Sequence, residues 1–250
     1  MKPETEAWLD SLLWLAGTAL KPTLPNLLNG PGMDPISPRT ARRLEQNNLV
    51  SKQTNPNGDW VYQLTNHGAL AALGGRIPHE NWARPWDGLW RFVLFDLPRS
   101  AQNNRLQLHR WLRRNQFGNL QGSVWISPFP IPDIAAKSGI KDAGPENVII
   151  TEGTLPDRPS DQIESLVEKA WDFPDLNKKY EAYLAHVKNE PAARTDPTWR
   201  KQEYAAWRDA ISADPLLPDP LLPKTYRGKD AWSERRKLIE QAGGSLDSLA

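Results

Sequence analysis

The chain has no cysteine among its 250 residues. That absence removes disulfides, thiolate nucleophiles and any zinc or iron–sulfur centre held by cysteine. Also missing is an apolar run near the roughly twenty residues that a membrane-spanning helix needs. The opening MKPETEAWLDSLLWLAG sets Glu4, Glu6 and Asp10 ahead of its apolar part, unlike a secretory signal, so the expectation is a soluble, cytoplasmic protein with no membrane partner. Histidine is sparse: His67, His79, His109 and His186 stand at no ligand spacing. No glycine-rich phosphate loop is present, since Gly74 and Gly75 precede Arg76 in a linker and Gly30-Pro31-Gly32 belongs to a turn. With no self-sufficient catalytic constellation, the expectation is a non-enzyme with no cofactor and no resident metal. A net charge of +1 is no signature of a nucleic-acid binder either, so any such case rests on local clustering.

Clustering is present. Between Ser37 and Lys52 the charged residues are Arg39, Arg42, Arg43, Glu45 and Lys52, and between Arg99 and Arg114 all five are arginines. Acids gather elsewhere, at Asp161, Glu164, Glu168, Asp172 and Asp175, which reads as a solvated helical surface facing away from phosphate. An apolar share of 39% over this length suffices for three small modules. The twelve tryptophans are spread over all of them, and most are expected in cores, where a large ring buries much area.

The first module, residues 1–80, reads as three helices and a hairpin. Trp8, Leu12, Leu15 and Ala16 fall at helical spacing over residues 6–20, and Pro22 and Pro25 end that helix. A short helix over 24–28 follows. Ser37 is a good N-cap and Pro38 a good first helical residue for a third helix reaching Asn47. On it Ala41 and Leu44 face one way, while Arg39, Arg42, Arg43 and Gln46 recur at i, i+3, i+4 and i+7 on another face. Strands over 49–53 and 60–64 flank the turn signal Asn57-Gly58. This order describes a winged helix-turn-helix. Its candidate DNA contacts are Ser37, Arg39, Thr40, Arg42, Arg43, Gln46 and, on the wing, Lys52. Arginine pairs bidentately with guanine, phosphate contacts fix the register, and Thr40 and Gln46 suit base edges. The competing reading of such a module is a platform for protein interaction or dimerisation.

The second module, 84–155, opens with an apolar strand over 90–97 stopped by Pro98. Ser100 caps a helix with Leu108, Trp111 and Leu112 inward and Arg105, Arg110, Arg113 and Arg114 largely outward. A strand over 120–127 bent at Gly122, a weak helix over 134–138 and a strand over 147–151 complete an α+β sandwich of ferredoxin-like type. The third module, 156–250, is helical. Ile163, Leu166, Val167, Ala170 and Trp171 form one stripe, Leu176, Tyr180, Tyr183, Leu184 and Val187 another, and Asp196-Pro197 opens a further helix. ADPLLPDPLLPKTYRG reads as an extended segment laid over another surface.

Several of these stretches together resemble the PaaX family, repressors of phenylacetic acid degradation. They are RTARRLEQNNLV at the recognition helix, YQLTNHG closing the wing, WDGLWRFVLFDLP and GNLQGSVWISP in the middle module, and the proline-rich end. The last is similar to the family's DPxLPxxLLPxxWxG signature, with Tyr226 in place of tryptophan. The resemblance implies a middle domain like the small nuclease-fold protein of CRISPR spacer acquisition. It also implies a homodimeric repressor that binds double-stranded DNA and is released by an acyl-coenzyme A effector. For that effector the candidates are Trp86, Trp90 and Trp125, to stack on an aromatic acyl group, and Arg91, to hold phosphate. Two other functions stay open: a metal-dependent nuclease using Asp96 from two chains across a dimer interface, and an interaction module that binds no DNA.

Overall fold

Helix α1, Pro3–Trp14, buries Trp8, Leu9, Leu12, Leu13 and Trp14 together with Thr5 and Asp10, so it is enclosed around most of its circumference. In the computed structural model the described residues are 3–14, 37–54, 60–73, 75–98, 102–130, 147–155, 159–189 and 196–241. The continuation of α1 toward residue 20 and the helix expected over 24–28 lie outside them. Two compact units result. One comprises Met1–Pro78, Asn177–Asp214 and Arg227–Ala250, the other His79–Leu176 and Pro215–Tyr226.

In the first unit α2, Pro38–Gln46, starts where Ser37 is extended and its hydroxyl accepts the Thr40 N–H at 3.2 Å. Asn48 adopts φ 54 and turns the chain into β1, Val50–Thr54, which pairs antiparallel with β2, Trp60–Leu64, from Val50 opposite Leu64 to Thr54 opposite Trp60. Asn57 and Gly58 lie outside the described residues. A helix that the wing-closing sequence did not suggest follows: α3, Asn66–Ala72, capped by the Thr65 hydroxyl, which accepts the Gly68 N–H at 2.9 Å. Helix α1 packs on α3 and β2, and also on two C-terminal helices.

The second unit begins within α4, Pro78–Trp82, which leads to β3, Trp90–Phe95, then α5, Gln102–Arg114, β4, Gly118–Gln121, β5, Val124–Ser127, and β6, Val148–Gly153. The sheet order is β4-β5-β3-β6 and every pair is antiparallel. First and second strands are thus separated by the third, with α5 crossing between them, the strand order of a ferredoxin-like sheet. The single strand expected over 120–127 is instead a hairpin. Leu120 interrupts the ladder as a bulge, Gly122 takes φ 52, and the Asn119 amide donates to the Gly122 carbonyl at 2.9 Å, so the chain reverses rather than bends. Val93, Phe95, Leu97, Leu108, Leu112, Phe117 and Trp125 form the core, with Trp111 half-buried against it. Ser100 and the helix expected over 134–138 are outside the described residues.

Helix α6, Ser160–Ala170, belongs to this unit, and α7, Phe173–Asn189, contributes its first residues to it. The proline-rich stretch is irregular, with Leu216 at φ 48, a 3-10 turn at Asp219–Leu221 and a turn at Lys224-Thr225, and it is laid down firmly: Leu216, Leu217, Leu221 and Tyr226 are buried. The Tyr226 ring meets Trp82 at 6.0 Å and Phe173 at 5.7 Å, both edge-on. Glu164 accepts the Lys224 N–H at 2.7 Å and Glu168 faces the Thr225 hydroxyl at 3.3 Å. Two acids of the expected solvated face therefore hold the proline segment.

The rest of α7 joins the first unit with α8, Pro197–Ala213, capped by Asp196 on the Thr198 N–H at 2.8 Å, and α9, Gly228–Gln241. Their interior carries charge: Arg235 of α9 reaches Asp10 of α1 and Glu203 of α8, and all three are buried.

Candidate nucleic-acid interface

Helix α2 has two faces of opposite character. Ala41 and Leu44 are buried, while Arg39, Arg42, Arg43 and Gln46 are exposed. Among the described residues none of the three guanidinium groups is held in an ion pair, which leaves their donors in solvent and available to an anion. Ser37 and Thr40 are occupied with each other: besides the cap, their hydroxyls lie 3.0 Å apart. Gln46, not Thr40, therefore offers the readier neutral group on this face.

The ribbon extends the surface. Lys52 of β1 is exposed and stands opposite Tyr62 of β2, and directly opposed residues share a face of the ribbon. Burial, then the Glu45 carboxylate, pushes the Tyr62 phenol above its ordinary pKa, while Arg42 pulls it back, so all three groups lie within electrostatic range. Lys52 and Tyr62 thus share one face of the ribbon, with Arg42 and Glu45 of α2 within electrostatic range of Tyr62. Tyr62 was not among the sequence candidates. The alternation of WVYQL, which sends Tyr62 to the face of Lys52 once the register is known, was its signal.

A close backbone contact fixes α2 against the ribbon. The Thr65 hydroxyl donates to the Asn48 carbonyl while accepting from Gly68, and the Thr65 N–H donates to the Leu49 carbonyl at 3.2 Å. A Cβ on Gly68 would stand 1.7 Å from the Leu49 oxygen. Only glycine permits that approach, so α3 abuts the corner where α2 becomes β1.

The second unit places the effector candidates differently. Arg91 is buried and its donors are spent: Nη1 donates to Asp87 Oδ1 at 2.9 Å and to the Pro128 carbonyl at 2.9 Å, Nη2 to Asp87 Oδ2, and Nε to Glu152 at 3.2 Å. Trp125 is opposite Val93 in the ladder and sits in the core with it. Trp90 is three residues before Val93 and so projects from the other face of the sheet, where its ring lies 5.3 Å from Trp86 and 6.3 Å from Trp171. Trp86 and Trp90 come together; Trp125 does not join them. Trp86 is half-buried and its indole N–H donates to the Leu89 carbonyl at 3.0 Å. Asp96 is exposed after β3, and its N–H donates to the Asn147 carbonyl at 3.0 Å. Among the described residues no three His, Asp or Glu side chains gather as metal ligands, and no helix is long and apolar enough to cross a membrane.

Comparison with known families matches residues 83–163 to the PaaX protein central Cas2-like domain and residues 171–247 to the PaaX-like protein C-terminal domain. These are domains of a family of transcriptional regulators. The chain belongs to the PaaX family. No curated protein matches it. Among solved structures it is similar to the uncharacterized protein Rv0674 from Mycobacterium tuberculosis, at 20% identity and a TM-score of 0.53, over 83% of this chain and 82% of that one. At that identity the likeness concerns the fold alone.

Proposed function

We propose that the protein is a DNA-binding repressor that acts in the cytoplasm as a homodimer, with residues 1–80 as a winged helix-turn-helix and α2 as the helix that reads the major groove. One observation carries the reading: the exposed Arg39, Arg42, Arg43 and Gln46 of α2 stand over a buried Ala41 and Leu44. A helix so anchored can enter a groove without losing its packing, and the Gly68 contact holds the ribbon at a set angle beside it. Membership of the PaaX family supports the regulatory role. The middle sheet, 84–155, is the proposed dimerisation element, and the two recognition helices of a dimer then face half-sites of a repeat. An acyl-coenzyme A is the proposed effector class. It releases DNA by binding more tightly to the arrangement whose helix spacing does not fit the operator.

The test is duplex binding by the full chain and its Arg42→Ala and Arg43→Ala variants over a salt series. A base-reading arginine contributes about 1–3 kcal/mol, so each variant is expected to bind the gene's own upstream DNA roughly 5- to 100-fold more weakly. A phosphate-only arginine instead lowers the salt slope by about one and weakens all sequences alike. Unchanged binding in both variants contradicts the assignment of α2.

A further inference from the structure

The middle unit carries a second cationic surface that the recognition module does not account for. Helix α5, QNNRLQLHRWLRR, contains four arginines and no acid. Leu108 and Leu112 are buried beneath it, while Gln102, Asn103, Leu106, Gln107, Arg110, Arg113 and Arg114 are exposed. Among the described residues none of its arginines is held in an ion pair.

That pattern is unlike the charged C-terminal helices of the same chain. On α9, Lys237 lies 2.8 Å from Glu234 and Arg236 lies 3.5 Å from Glu240. Lys179 of α7 lies 3.1 Å from Asp209 of α8. An ordinary solvated helix interleaves its signs in this way, whereas α5 keeps carboxylates off its surface altogether. The local field is positive enough to reach a neighbour: the half-buried His109 imidazole is held below its ordinary pKa by burial and then by Arg113 and Arg105. Arg105 donates to the Leu97 carbonyl, which fixes one guanidinium at the helix base. Beside it Gln102, Arg105, Leu106 and His109 line an open depression of about 420 Å³.

We infer that the outer face of α5 is a contact for the sugar–phosphate backbone of duplex DNA, separate from the base-reading helix. Asn103, Gln107, Arg110 and Arg114 recur at i, i+4, i+7 and i+11 and span about 16 Å along the axis. Neutral amide donors and guanidinium groups in one line, on a helix whose own sequence has no carboxylate to repel phosphate, match an extended polyanion rather than a single bound ion. Leu106, 45% exposed among them, offers an apolar contact to deoxyribose. The surface adds affinity without sequence preference. This inference rests on the chain's being a duplex-DNA binder.

The experiment uses the full chain and the variant Arg110→Gln/Arg113→Gln/Arg114→Gln, with Arg42→Ala alongside. Binding is measured against the upstream duplex and a shuffled duplex over a salt series, with melting curves to establish that each variant is folded. For the triple variant the slope of log affinity against log salt is expected to shrink by about 2–3 on both duplexes, at unchanged melting temperature. An unchanged slope and affinity on both duplexes overturns the inference while leaving α2 to Arg42→Ala. Loss in the triple variant with Arg42→Ala neutral retains α5 and removes the assignment of α2. A wild-type chain that binds neither duplex overturns both.

Discussion

Arg235 donates to Glu203 at 2.8 Å in a pair of which neither side chain is exposed to solvent. Asp10 takes the other side of the guanidinium, the Tyr183 hydroxyl donates to Glu203 at 2.8 Å, and the Trp207 ring lies 4.9 Å from the guanidinium carbon. Because Asp10 is on α1, and α1 also packs on α3 and β2, the cluster ties these N-terminal elements to the C-terminal helices.

Burial outweighs Arg235 at Glu203 and raises its pKa from 4.5 to about 7. A carboxyl with a raised folded pKa binds its proton more tightly folded than unfolded. Its linkage therefore lowers stability as pH rises from about 4.5 to about 7. Thermal melts across that window are expected to fall with rising pH in the wild type relative to Glu203→Gln, which cannot titrate. Parallel profiles for the two proteins would contradict the placement of this proton.

Removing the cation instead leaves two carboxylates buried without it. Arg235→Met is expected to lose about 3–5 kcal/mol in urea unfolding, with the larger loss at higher pH, where Asp10 and Glu203 must ionise. A loss under about 1 kcal/mol would show that the cluster does not hold α1 in place.

Gly68→Ala tests the corner that sets α2 against the ribbon. A methyl 1.7 Å from the Leu49 carbonyl cannot be absorbed by a side-chain shift, because the obstacle is backbone. The expected cost is about 1–3 kcal/mol in denaturant unfolding, accompanied by weaker duplex binding. A variant as stable as wild type would contradict the close approach of α3 to that corner.

For Arg91 the expectation is structural. Arg91→Met leaves the Pro128 carbonyl without its donor and frees Asp87 and Glu152, for a loss of about 1–3 kcal/mol in unfolding free energy. The hydrogen bond from Arg91 holds the Asp87 carboxyl below the usual carboxylate range, so that stabilisation is complete at neutral pH and is lost as acid takes pH below that range. The gap between wild type and variant should narrow there. A stable variant that has lost only its response to an acyl-coenzyme A would return Arg91 to the effector site.

Local signals made much of this architecture legible. Ser37-Pro38 and Asp196-Pro197 start helices where capping chemistry places them, and the strands around Trp90, Trp60 and Val148 were found to within a few residues. What sequence missed depends on partners distant in the chain. Thr65 caps α3 but sits in a stretch that also closes a ribbon, and the Gly122 signal for a reversal was outweighed by the apolar residues around it. Asp10 and Arg235 are 225 positions apart, so nothing local marks them as buried partners. Arg91 was read as a phosphate ligand although Asp87, four residues before it, was a local hint of its pairing. On α2 the arginine stripe was readable from spacing alone, whereas Tyr62 joins it only through the pairing with Lys52.

On this reading α2 is the helix that reads DNA. The most direct measurement is fluorescence anisotropy of the full chain with its own upstream duplex against a shuffled duplex, over a salt series with magnesium present and the DNA examined afterwards on a gel. Binding is expected to be at least about 10³-fold tighter to the upstream duplex and to weaken steeply with salt, with the DNA recovered intact. Equal affinity for the two duplexes, no binding, or cleaved DNA would contradict that reading.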